Sequence, residues 1–503
     1  MKNYLLILTS FLYLNSLGQE TDIKKPMIGN ATKHEFIADY KHFKAKFETK
    51  ISNLFKEYNI EGDFIFGIVD ETGLVYSYAL NKDILEQKPT SLTNESPIYI
   101  ASHTKAMTGT LLKILEEEGK IDLDKTLYDY LPDLTFNGKV DTKSISIRNL
   151  LNHTNGISNG IVTYKTAYFG YSGENKELID DFNLSSKINP SKKFNYSNIG
   201  SILAGMIVER ITGNTWKEEM KRRIFEPLGM TNTSANVSDF NYSDIRPAIS
   251  LINKHQTHAY FKKKDVTMHA AGGVLSTIND LSKWLQININ QDSTIFKSLT
   301  SWEALHEPTT KQDRTYYVYK RHAYSLGWDI ATYQKDTILT RFGGYGDIAF
   351  HLSFMPKKKI GIIGLTSDGR ASSLSHLAAN YAYNLINKIP NAEEIFESEK
   401  GPLVRAFDKS NNSSSQNIIN DLVLNDENDF FIGVYKNKDG WPDITISKND
   451  YTYEIKWGFL EGVIYNISGE KRPYVASFDV LSRSLDIKKT RLFIGGLKYR
   501  KTE

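Results

Sequence analysis

The stretch Ile98-Tyr99-Ile100-Ala101-Ser102-His103-Thr104-Lys105-Ala106-Met107 organises the rest of the chain. An apolar, β-branched run leads into Ser102, and Lys105 follows three residues later. Apolar residues then recur at helical spacing, which predicts a helix that begins near Ser102. Residues three apart lie on one face of a helix, so the Lys105 ammonium would come within reach of the Ser102 hydroxyl. A lysine shielded from water can take the proton of a serine and make it a nucleophile.

Taken alone, this spacing is common, and its plainer interpretation is a helix-capping serine followed by a solvated lysine. Two other segments offer matching chemistry. Phe194-Asn195-Tyr196-Ser197-Asn198 precedes a predicted helix that ends at Gly213, where Tyr196 is equally well explained as a core aromatic and Asn198 as a helix cap. Arg341-Phe342-Gly343-Gly344 opens a loop between two predicted strands.

Length and composition narrow the class of protein. The 503 residues, 40% hydrophobic and 24% charged, predict a globular protein with two domains or one large domain and an appendage. The net charge of +3 gives no support for nucleic-acid binding. The chain has no cysteine, which excludes disulfides and a lipid-modified cysteine.

The N-terminus has the pattern of an export signal. Lys2 precedes a short apolar run from Leu5 to Leu17, and Ser16-Leu17-Gly18 offers small residues for cleavage, so residues 1–18 are predicted to be a signal peptide. No stretch approaches the roughly 18 apolar residues of a transmembrane helix. We therefore expect an exported protein, periplasmic or extracellular.

Histidines and glycines elsewhere give weaker signals. His153, in a turn that ends at Asn155-Gly156, is more consistent with bracing that turn than with a general base. His255, His258 and His269 lack the spacing of a metal site, and the glycine-rich segment 270–276 lacks that of a cofactor loop. No metal and no cofactor are predicted.

The second half of the chain changes character after about residue 390. Strands between residues 324 and 366 are joined by hairpins, which predicts an antiparallel sheet, and a helix closes this region. Residues 396–428 have a linker composition, and residues 429–503 alternate polar and apolar side chains as in a small all-β domain, a barrel or a sandwich. The basic excess after residue 471 is explained by a solvated surface or by contact with anionic cell-envelope polymers.

Taken in order, the three motifs and their flanking phrases resemble the serine β-lactamase and penicillin-binding protein superfamily, and look most like its class C β-lactamase-like branch. The resemblance covers about residues 60–390. The flanking phrases are Leu150-Leu151-Asn152-His153-Thr154-Asn155-Gly156, Ile224-Phe225-Glu226-Pro227-Leu228-Gly229-Met230 and Ala271-Gly272-Gly273-Val274-Leu275-Ser276. It implies an α+β fold over residues 19–395, with an antiparallel sheet flanked by helices and an all-helical region, followed by the C-terminal all-β domain.

The resemblance also implies roles for individual residues. Ser102 matches the nucleophile, Lys105 the base that helps deprotonate it, and Tyr196 the group that relays a proton to the leaving group. Asn198 matches the residue that bonds the substrate's amide. The backbone N–H groups of Ser102 and Gly344 would form the oxyanion hole. His103, beside the nucleophile, is expected to point away from the site.

The third motif departs from the family pattern, which is usually Lys-Thr-Gly or His-x-Gly. Arg341 keeps the positive charge and is expected to hold a substrate carboxylate. Phe342 replaces a hydroxyl and is expected to make the acyl pocket more apolar, and Gly343 completes the predicted substrate-binding residues.

These features predict an exported serine hydrolase that acts on D-Ala-type peptides or related amides and esters. The first alternative is a carboxylesterase, which Phe342 favours, or a weak β-lactamase. The second is a penicillin-binding sensor that is acylated without turnover. In each case the partner is a small peptide, ester or β-lactam, and the C-terminal domain would shape the cleft or bind a partner.

Overall fold

The computed structural model describes residues 39–189, 191, 193–253, 256–416, 419–421, 426–467, 474–478 and 480–502. The predicted signal peptide lies outside these residues. So do His255 and two residues of the basic C-terminal stretch, Lys471 and Arg472.

A ten-stranded antiparallel sheet carries the first part of the chain. The strands of this part are β1 (Phe64–Asp70), β2 (Gly73–Leu80), β3 (Ile98–Tyr99), β4 (Ile157–Ser158), β5 (Lys187–Ile188), β6 (Ala248–Asn253), β7 (Gln256–Tyr260), β8 (Leu275–Ser276), β9 (Thr310–Lys311), β10 (Thr315–Tyr316), β11 (Tyr319–Tyr324), β12 (Asp329–Tyr333), β13 (Asp336–Thr340), β14 (Gly343–Tyr345), β15 (Ile348–Met355) and β16 (Ile360–Thr366). The sheet has the order β10-β11-β12-β13-β15-β16-β1-β2, with β9 beside β11 and β14 beside β15. The remaining strands form the pairs β3–β8, β4–β5 and β6–β7.

The helices are α1 (Tyr40–Tyr58), α2 (Lys82–Leu85), α3 (Thr104–Glu117), α4 (Leu127–Tyr130), α5 (Ile147–Leu151), α6 (Gly160–Tyr164), α7 (Asn175–Ser185), α8 (Ile199–Thr212), α9 (Trp216–Met220), α10 (Ile278–Asn290), α11 (Leu299–His306), α12 (Leu374–Ile386), α13 (Ala392–Glu399) and α14 (Gly401–Gln416). Within the described ranges, none of them combines the length and apolar character needed to cross a bilayer.

Helices cover both faces of the sheet. Every residue of β1, β15 and β16 is buried, and successive side chains of a strand point to opposite faces, so neither face meets water there. Helix α10 packs on one face, while α1 and α12 pack on the other, where the ring of Phe47 lies 4.7 Å from Phe66 and 6.3 Å from Tyr381. The predicted antiparallel sheet flanked by helices is confirmed.

Two glycines allow the backbone of helix α3 to pack closely against the sheet. A Cβ at Gly109 would lie 2.0 Å from the carbonyl oxygen of Leu326, and one at Gly327 would lie 2.7 Å from Cα of Ala106. The backbone of the helix therefore touches the turn between β11 and β12. This contact sets the position of the first turn of α3, where Ser102 and Lys105 lie.

The C-terminal part is a closed barrel. Its strands are β17 (Ile419–Asp421), β18 (Gly433–Lys436), β19 (Ile444–Lys448), β20 (Tyr453–Trp457), β21 (Leu460–Ile467), β22 (Tyr474–Phe478), β23 (Leu481–Lys488), β24 (Arg491–Ile494) and β25 (Leu497–Lys501). The ring β18 to β25 closes because β21 pairs with β22 and β25 pairs with β18, and β17 adds to β21 outside the ring. Of the two predicted architectures, the domain therefore has the barrel.

The barrel packs on the main body around Phe169. Phe169 belongs to the apolar cluster of the barrel, with its ring 4.5 Å from Trp457. The N–H of Phe459 donates to the carbonyl of Phe169 at 3.0 Å, and Arg483 donates to the hydroxyl of Tyr164 at 3.0 Å.

The structure differs from the prediction in the segment 396–428. The end of α13 and the whole of α14 lie in this predicted linker. Leu403 and Phe407, one helical turn apart, are buried, and the ring of Phe407 lies 5.1 Å from Tyr58. The first half of the segment is thus a packed helix, while the domain boundaries themselves stay a prediction.

Candidate active site

Ser102 lies in a tight turn that runs into α3. Residues Ala101–His103 form a single 3₁₀ turn, and α3 follows from Thr104, as the sequence predicted. Ala101 has a φ of +45°, a conformation that a residue with a side chain rarely adopts. Strain of this kind is found at functional sites, and here it allows the abrupt change from strand β3 to a helix that leaves Ser102 partly exposed.

Lys105 is buried, and its ammonium has three acceptors. Its Nζ lies 3.2 Å from Ser102 Oγ, 2.8 Å from Asn198 Oδ1 and 2.6 Å from the carbonyl oxygen of Ala271. The last two atoms can only accept hydrogen bonds, so each binds one N–H of Lys105 whether the amine is neutral or charged. In the neutral amine the remaining position is a lone pair that faces Ser102. Burial lowers the pKa of Lys105 to about 8, which brings this neutral form within reach.

Tyr196 faces the same ammonium from the segment before α8. Lys105 Nζ lies 5.0 Å from the centre of its ring, and its hydroxyl accepts a hydrogen bond from Arg341 Nη2. Burial by itself raises the pKa of a phenol, but the charges of Arg341 and Lys105 outweigh this and lower the pKa of Tyr196 to about 8. The lysine and the tyrosine therefore compete for a proton in the same pH range.

His153 braces this arrangement and is not a base in it, as the sequence indicated. Its Nδ1 accepts from the N–H of Ser197 at 3.4 Å, its carbonyl accepts from Asn195 at 2.8 Å, and its ring lies 4.6 Å from that of Tyr196. Burial keeps the pKa of His153 well below its ordinary value, so the ring stays neutral. It is a positioning residue for Tyr196.

Each nitrogen of the Arg341 guanidinium donates a hydrogen bond inside the protein. Its Nε donates to the carbonyl of Ser102 at 3.0 Å, Nη1 donates to Asp329 Oδ2 at 3.0 Å, and Nη2 donates to the Tyr196 hydroxyl. The side chain is 4% exposed. The guanidinium is buried, and three of its five N–H groups already have acceptors inside the protein, so this placement does not support the predicted role of Arg341 in holding a substrate carboxylate. It supports a role in fixing Ser102 and Tyr196 relative to each other.

Asp329 was missed in the sequence. It is fully buried on β12 and accepts from Arg341, from Gln312 at 3.0 Å and from Arg314 at 3.4 Å. An acidic residue between Trp328 and Ile330 in an apolar strand was the available signal, because a buried carboxylate needs cationic partners.

Phe342 does not join the cluster around Ser102. Its ring is buried against His376 at 4.4 Å, His351 at 4.6 Å, Tyr316 at 5.3 Å and Tyr319 at 5.4 Å. It follows Arg341 in an extended segment, where neighbouring side chains point to opposite sides. The predicted apolar lining of the acyl pocket by Phe342 is not supported by this placement.

Two backbone N–H groups are available for an oxyanion hole, in the predicted places. Tyr345 and Ile348 flank the two-residue turn of the β14–β15 hairpin, so the next pair inward is not hydrogen-bonded, and the N–H of Gly344 points away from β15. Ser102 is the second residue of a helical turn, where N–H groups lack helical acceptors. Both were predicted from the resemblance, and their part in catalysis stays a prediction.

Asn198 and His103 complete the surroundings. Asn198 orients Lys105 through Oδ1, and its Nδ2 has no acceptor among the described residues, which leaves it available for a substrate carbonyl. The indole of Trp284 donates to His103 Nε2 at 2.8 Å, so Nδ1 carries the proton and donates to the carbonyl of Arg341 at 3.1 Å. His103 points into the core, as expected, and ties the nucleophile's turn to Arg341.

Replacing Gly343 by alanine is expected to destabilise the protein by about 1–3 kcal/mol and to impair catalysis. A Cβ there would lie 2.2 Å from the carbonyl oxygen of Ile100, so the strand or the nucleophile's turn must move. Gly344→Ala is the matched control, because its Cβ would meet nothing closer than 3.7 Å. Denaturant unfolding of both variants measures the difference, and equal stability would contradict the close contact.

Comparison with known proteins places this geometry in a family. The family model described as Beta-lactamase matches residues 47–382. An unguisins hydrolase of Aspergillus campestris is 23% identical over 317 residues, which cover 60% of this chain and 58% of that protein. Protein flp of Staphylococcus aureus is 24% identical over 273 residues, 53% of this chain and 52% of its own length. The chain thus spans a little over half the length of these relatives.

Solved structures share the fold. The octameric penicillin-binding protein homologue from Pyrococcus abyssi superposes with a TM-score of 0.58 at 19% identity, covering 91% of this chain and 99% of that one. The D-amino acid amidase from Ochrobactrum anthropi SV3 gives 0.52 at 18% identity, covering 73% and 99%.

Proposed function

The chain belongs to the beta-lactamase family, within the serine hydrolase superfamily, and on this premise we propose that it is an exported hydrolase that forms an acyl-enzyme on Ser102. Its proposed substrates are D-Ala-type peptides or related amides and esters. The observation that carries the proposal is the 3.2 Å contact between Lys105 Nζ and Ser102 Oγ, in a buried site where the pKa values of Lys105 and Tyr196 both fall near 8. Export rests on the predicted signal peptide, residues 1–18.

Acylation starts with the transfer of the Ser102 hydroxyl proton to the neutral Lys105 amine, while Oγ attacks the carbonyl carbon. The N–H groups of Ser102 and Gly344 stabilise the oxyanion that forms. Tyr196 then gives its proton to the leaving nitrogen or oxygen as the tetrahedral intermediate collapses, and the proton on Lys105 restores the phenol. The scissile bond breaks, the serine ester forms, and no proton is gained or lost.

Deacylation uses the same groups with water in place of the leaving group. The Tyr196 phenol first passes its proton to the neutral Lys105 amine. The phenolate, held by Arg341 and the Lys105 ammonium, then takes a proton from water, and the resulting hydroxide attacks the ester. Ser102 leaves as an alkoxide and recovers its proton from Tyr196 through Lys105. Two bases that share one proton allow both half-reactions to proceed without a histidine.

The similar proteins support amides with D-residues as substrates, since one is a D-amino acid amidase and another is a penicillin-binding protein homologue. The carboxylesterase alternative rested on Phe342 as part of an apolar acyl pocket. The ring of Phe342 is instead buried against His351 and His376, outside the cluster around Ser102. The remaining alternatives are cleavage of β-lactams and acylation without turnover, and the following experiment distinguishes them. Contact of the barrel with envelope polymers remains a separate proposal.

Intact-mass spectrometry of the acyl-enzyme tests the proposed function. The protein is incubated with acetyl-D-alanyl-D-alanine, a p-nitrophenyl ester and a penicillin, and we expect a Ser102 adduct that decays with release of product for the peptide. Ser102→Ala should form no adduct. A stable penicillin adduct without turnover of any substrate would indicate a sensor, turnover of the ester alone would indicate an esterase, and an adduct retained by Ser102→Ala would rule out the proposed nucleophile.

A further inference from the structure

His103 follows the nucleophile directly, yet its side chain has no part in the proton transfers described above. Its ring is buried, and each ring nitrogen has one partner that fixes its role. The indole N–H of Trp284 can only donate, so Nε2 accepts it at 2.8 Å, and the carbonyl of Arg341 can only accept, so Nδ1 donates to it at 3.1 Å. Two partners thus select the same neutral tautomer.

The imidazole of His103 cannot change this state without losing a bond. A charged ring would turn Nε2 into a donor that faces the N–H of Trp284, and the other neutral tautomer would leave Nδ1 without a proton for the carbonyl. Burial lowers the pKa of His103 to about 3, which keeps the ring neutral. The rings of Trp284, Trp328 and Phe350 pack against it in edge contacts, with centres 6.3, 5.4 and 5.6 Å away. The bond to Arg341 is therefore fixed in its direction and in its proton.

This bond is one half of a reciprocal contact between the nucleophile's turn and the segment of the third motif. Arg341 Nε donates to the carbonyl of Ser102 at 3.0 Å, while the carbonyl of Arg341 accepts from His103. The two segments therefore hold each other through two hydrogen bonds that run in opposite directions. They also touch at Gly343, where a Cβ would lie 2.2 Å from the carbonyl oxygen of Ile100.

The reciprocal contact bears on the oxyanion hole, because the two N–H groups predicted to form it lie on these two segments. One belongs to Ser102, directly before His103, and the other belongs to Gly344, three residues after Arg341. The segments come from distant parts of the chain, and Ala101 has the strained φ of +45° in the nucleophile's turn. Strain of this kind persists only where the surrounding contacts hold the conformation in place.

We propose that His103 is a positioning residue that sets the distance between the backbone N–H groups of Ser102 and Gly344 through its bond to Arg341. The inference rests on the proposed function, since these two groups would hold the oxyanion in that reaction. A displacement of about 1 Å at a reacting centre can cost on the order of 100-fold in rate, so loss of this one bond should be measurable.

Two substitutions separate the bond to Arg341 from the bond to Trp284. The side-chain amide of asparagine reaches about as far as Nδ1, so His103→Asn keeps a donor for the carbonyl of Arg341 and leaves the indole unpaired. The amide of glutamine reaches about as far as Nε2, so His103→Gln keeps an acceptor for the indole and leaves the carbonyl unpaired. Each variant loses one buried hydrogen bond, and thermal unfolding confirms that both are folded at the assay temperature.

Calorimetric binding of phenylboronic acid measures the state of the oxyanion hole. Ser102 Oγ adds to its boron, and a boron-bound oxygen of the tetrahedral adduct takes the place of the oxyanion. We expect His103→Gln to bind it about 10- to 100-fold more weakly than the wild-type protein, and His103→Asn to bind it within about threefold of the wild-type affinity. His306→Gln is the matched control. This second buried histidine bonds Gln291 and Asn288 at 3.0 Å each, and its replacement should leave the affinity unchanged.

Hydrogen exchange followed by mass spectrometry tests the same bond without any reaction. Peptides that cover residues 98–107 and 341–345 should exchange faster in His103→Gln than in His103→Asn, because the two segments are less firmly tied. Equal exchange in the two variants, or equal affinity of the two for a boronic acid that the wild-type protein binds, would overturn the assignment. If exchange differs but the wild-type protein binds the boronic acid no better than Ser102→Ala does, the proposed function fails and the positioning role of His103 stands.

Discussion

Lys105→Met is expected to lower kcat/KM about 100- to 10,000-fold, the range for loss of a general base. Methionine fills a similar space but cannot accept the proton of Ser102, and it removes a charge that lowers the pKa of Tyr196. Steady-state kinetics on the most reactive substrate measure the loss, which should fall mainly on kcat.

Lys113→Met is the matched control for this variant, because Lys113 lies on the same helix and pairs with Glu116 at 2.6 Å, away from the site. Its activity should be unchanged. Ser102 and Lys105 act as a unit, so the double variant Ser102→Ala/Lys105→Met should be no less active than Ser102→Ala. If Lys105→Met kept more than about a tenth of the activity, the loss would be smaller than removal of a general base causes, and Lys105 would not be the base.

Arg341→Met should shift the pH dependence of kcat/KM toward alkaline pH. The charge of Arg341 contributes to lowering the pKa values of Lys105 and Tyr196 to about 8, so its removal raises both. The neutral Lys105 amine, which is the base in acylation, then forms at higher pH, and the rising limb of the profile moves up with it, with the greatest loss of activity below pH 8. Profiles measured from pH 6 to 10 show the shift, and a limb that stays in place would contradict it.

The same replacement should also destabilise the fold by about 3 kcal/mol, the lower end for removal of one partner of a buried ion pair, because Arg314 and Arg321 still contact Asp329. Arg341→Lys separates the two effects. It keeps the charge, and so holds the pH limb near its wild-type position, but it cannot reach Ser102, Asp329 and Tyr196 in the planar geometry of arginine.

The parts of the site that depend on local spacing were predictable from the sequence. Ser102 and Lys105 are one helical turn apart, and helix geometry alone brings them together. The order of the three motifs added Tyr196 and Asn198, and the hairpin pattern gave the antiparallel sheet. All of these involve residues near each other in the chain or an ordered series of motifs.

What escaped prediction depends on distant pairing. The sequence offers Arg341 and Phe342 side by side, but strand register decides which of them faces Ser102. The surroundings of Asp329 draw on residues from separate strands and the loop before them, which meet only in the assembled sheet. Similarly, the choice between barrel and sandwich rests on the pairing of β18 with β25, more than sixty residues apart.

The ring of Phe169 makes the two parts of the protein poorly separable. It lies in the main body by sequence and in the barrel by packing, with 2% of its surface exposed. A chain shortened before the barrel would present this ring and Tyr164 to water and lose solubility along with any activity. Exchange of barrels between relatives, in evolution or in engineering, therefore has to carry residues 164–170 with the transplanted module.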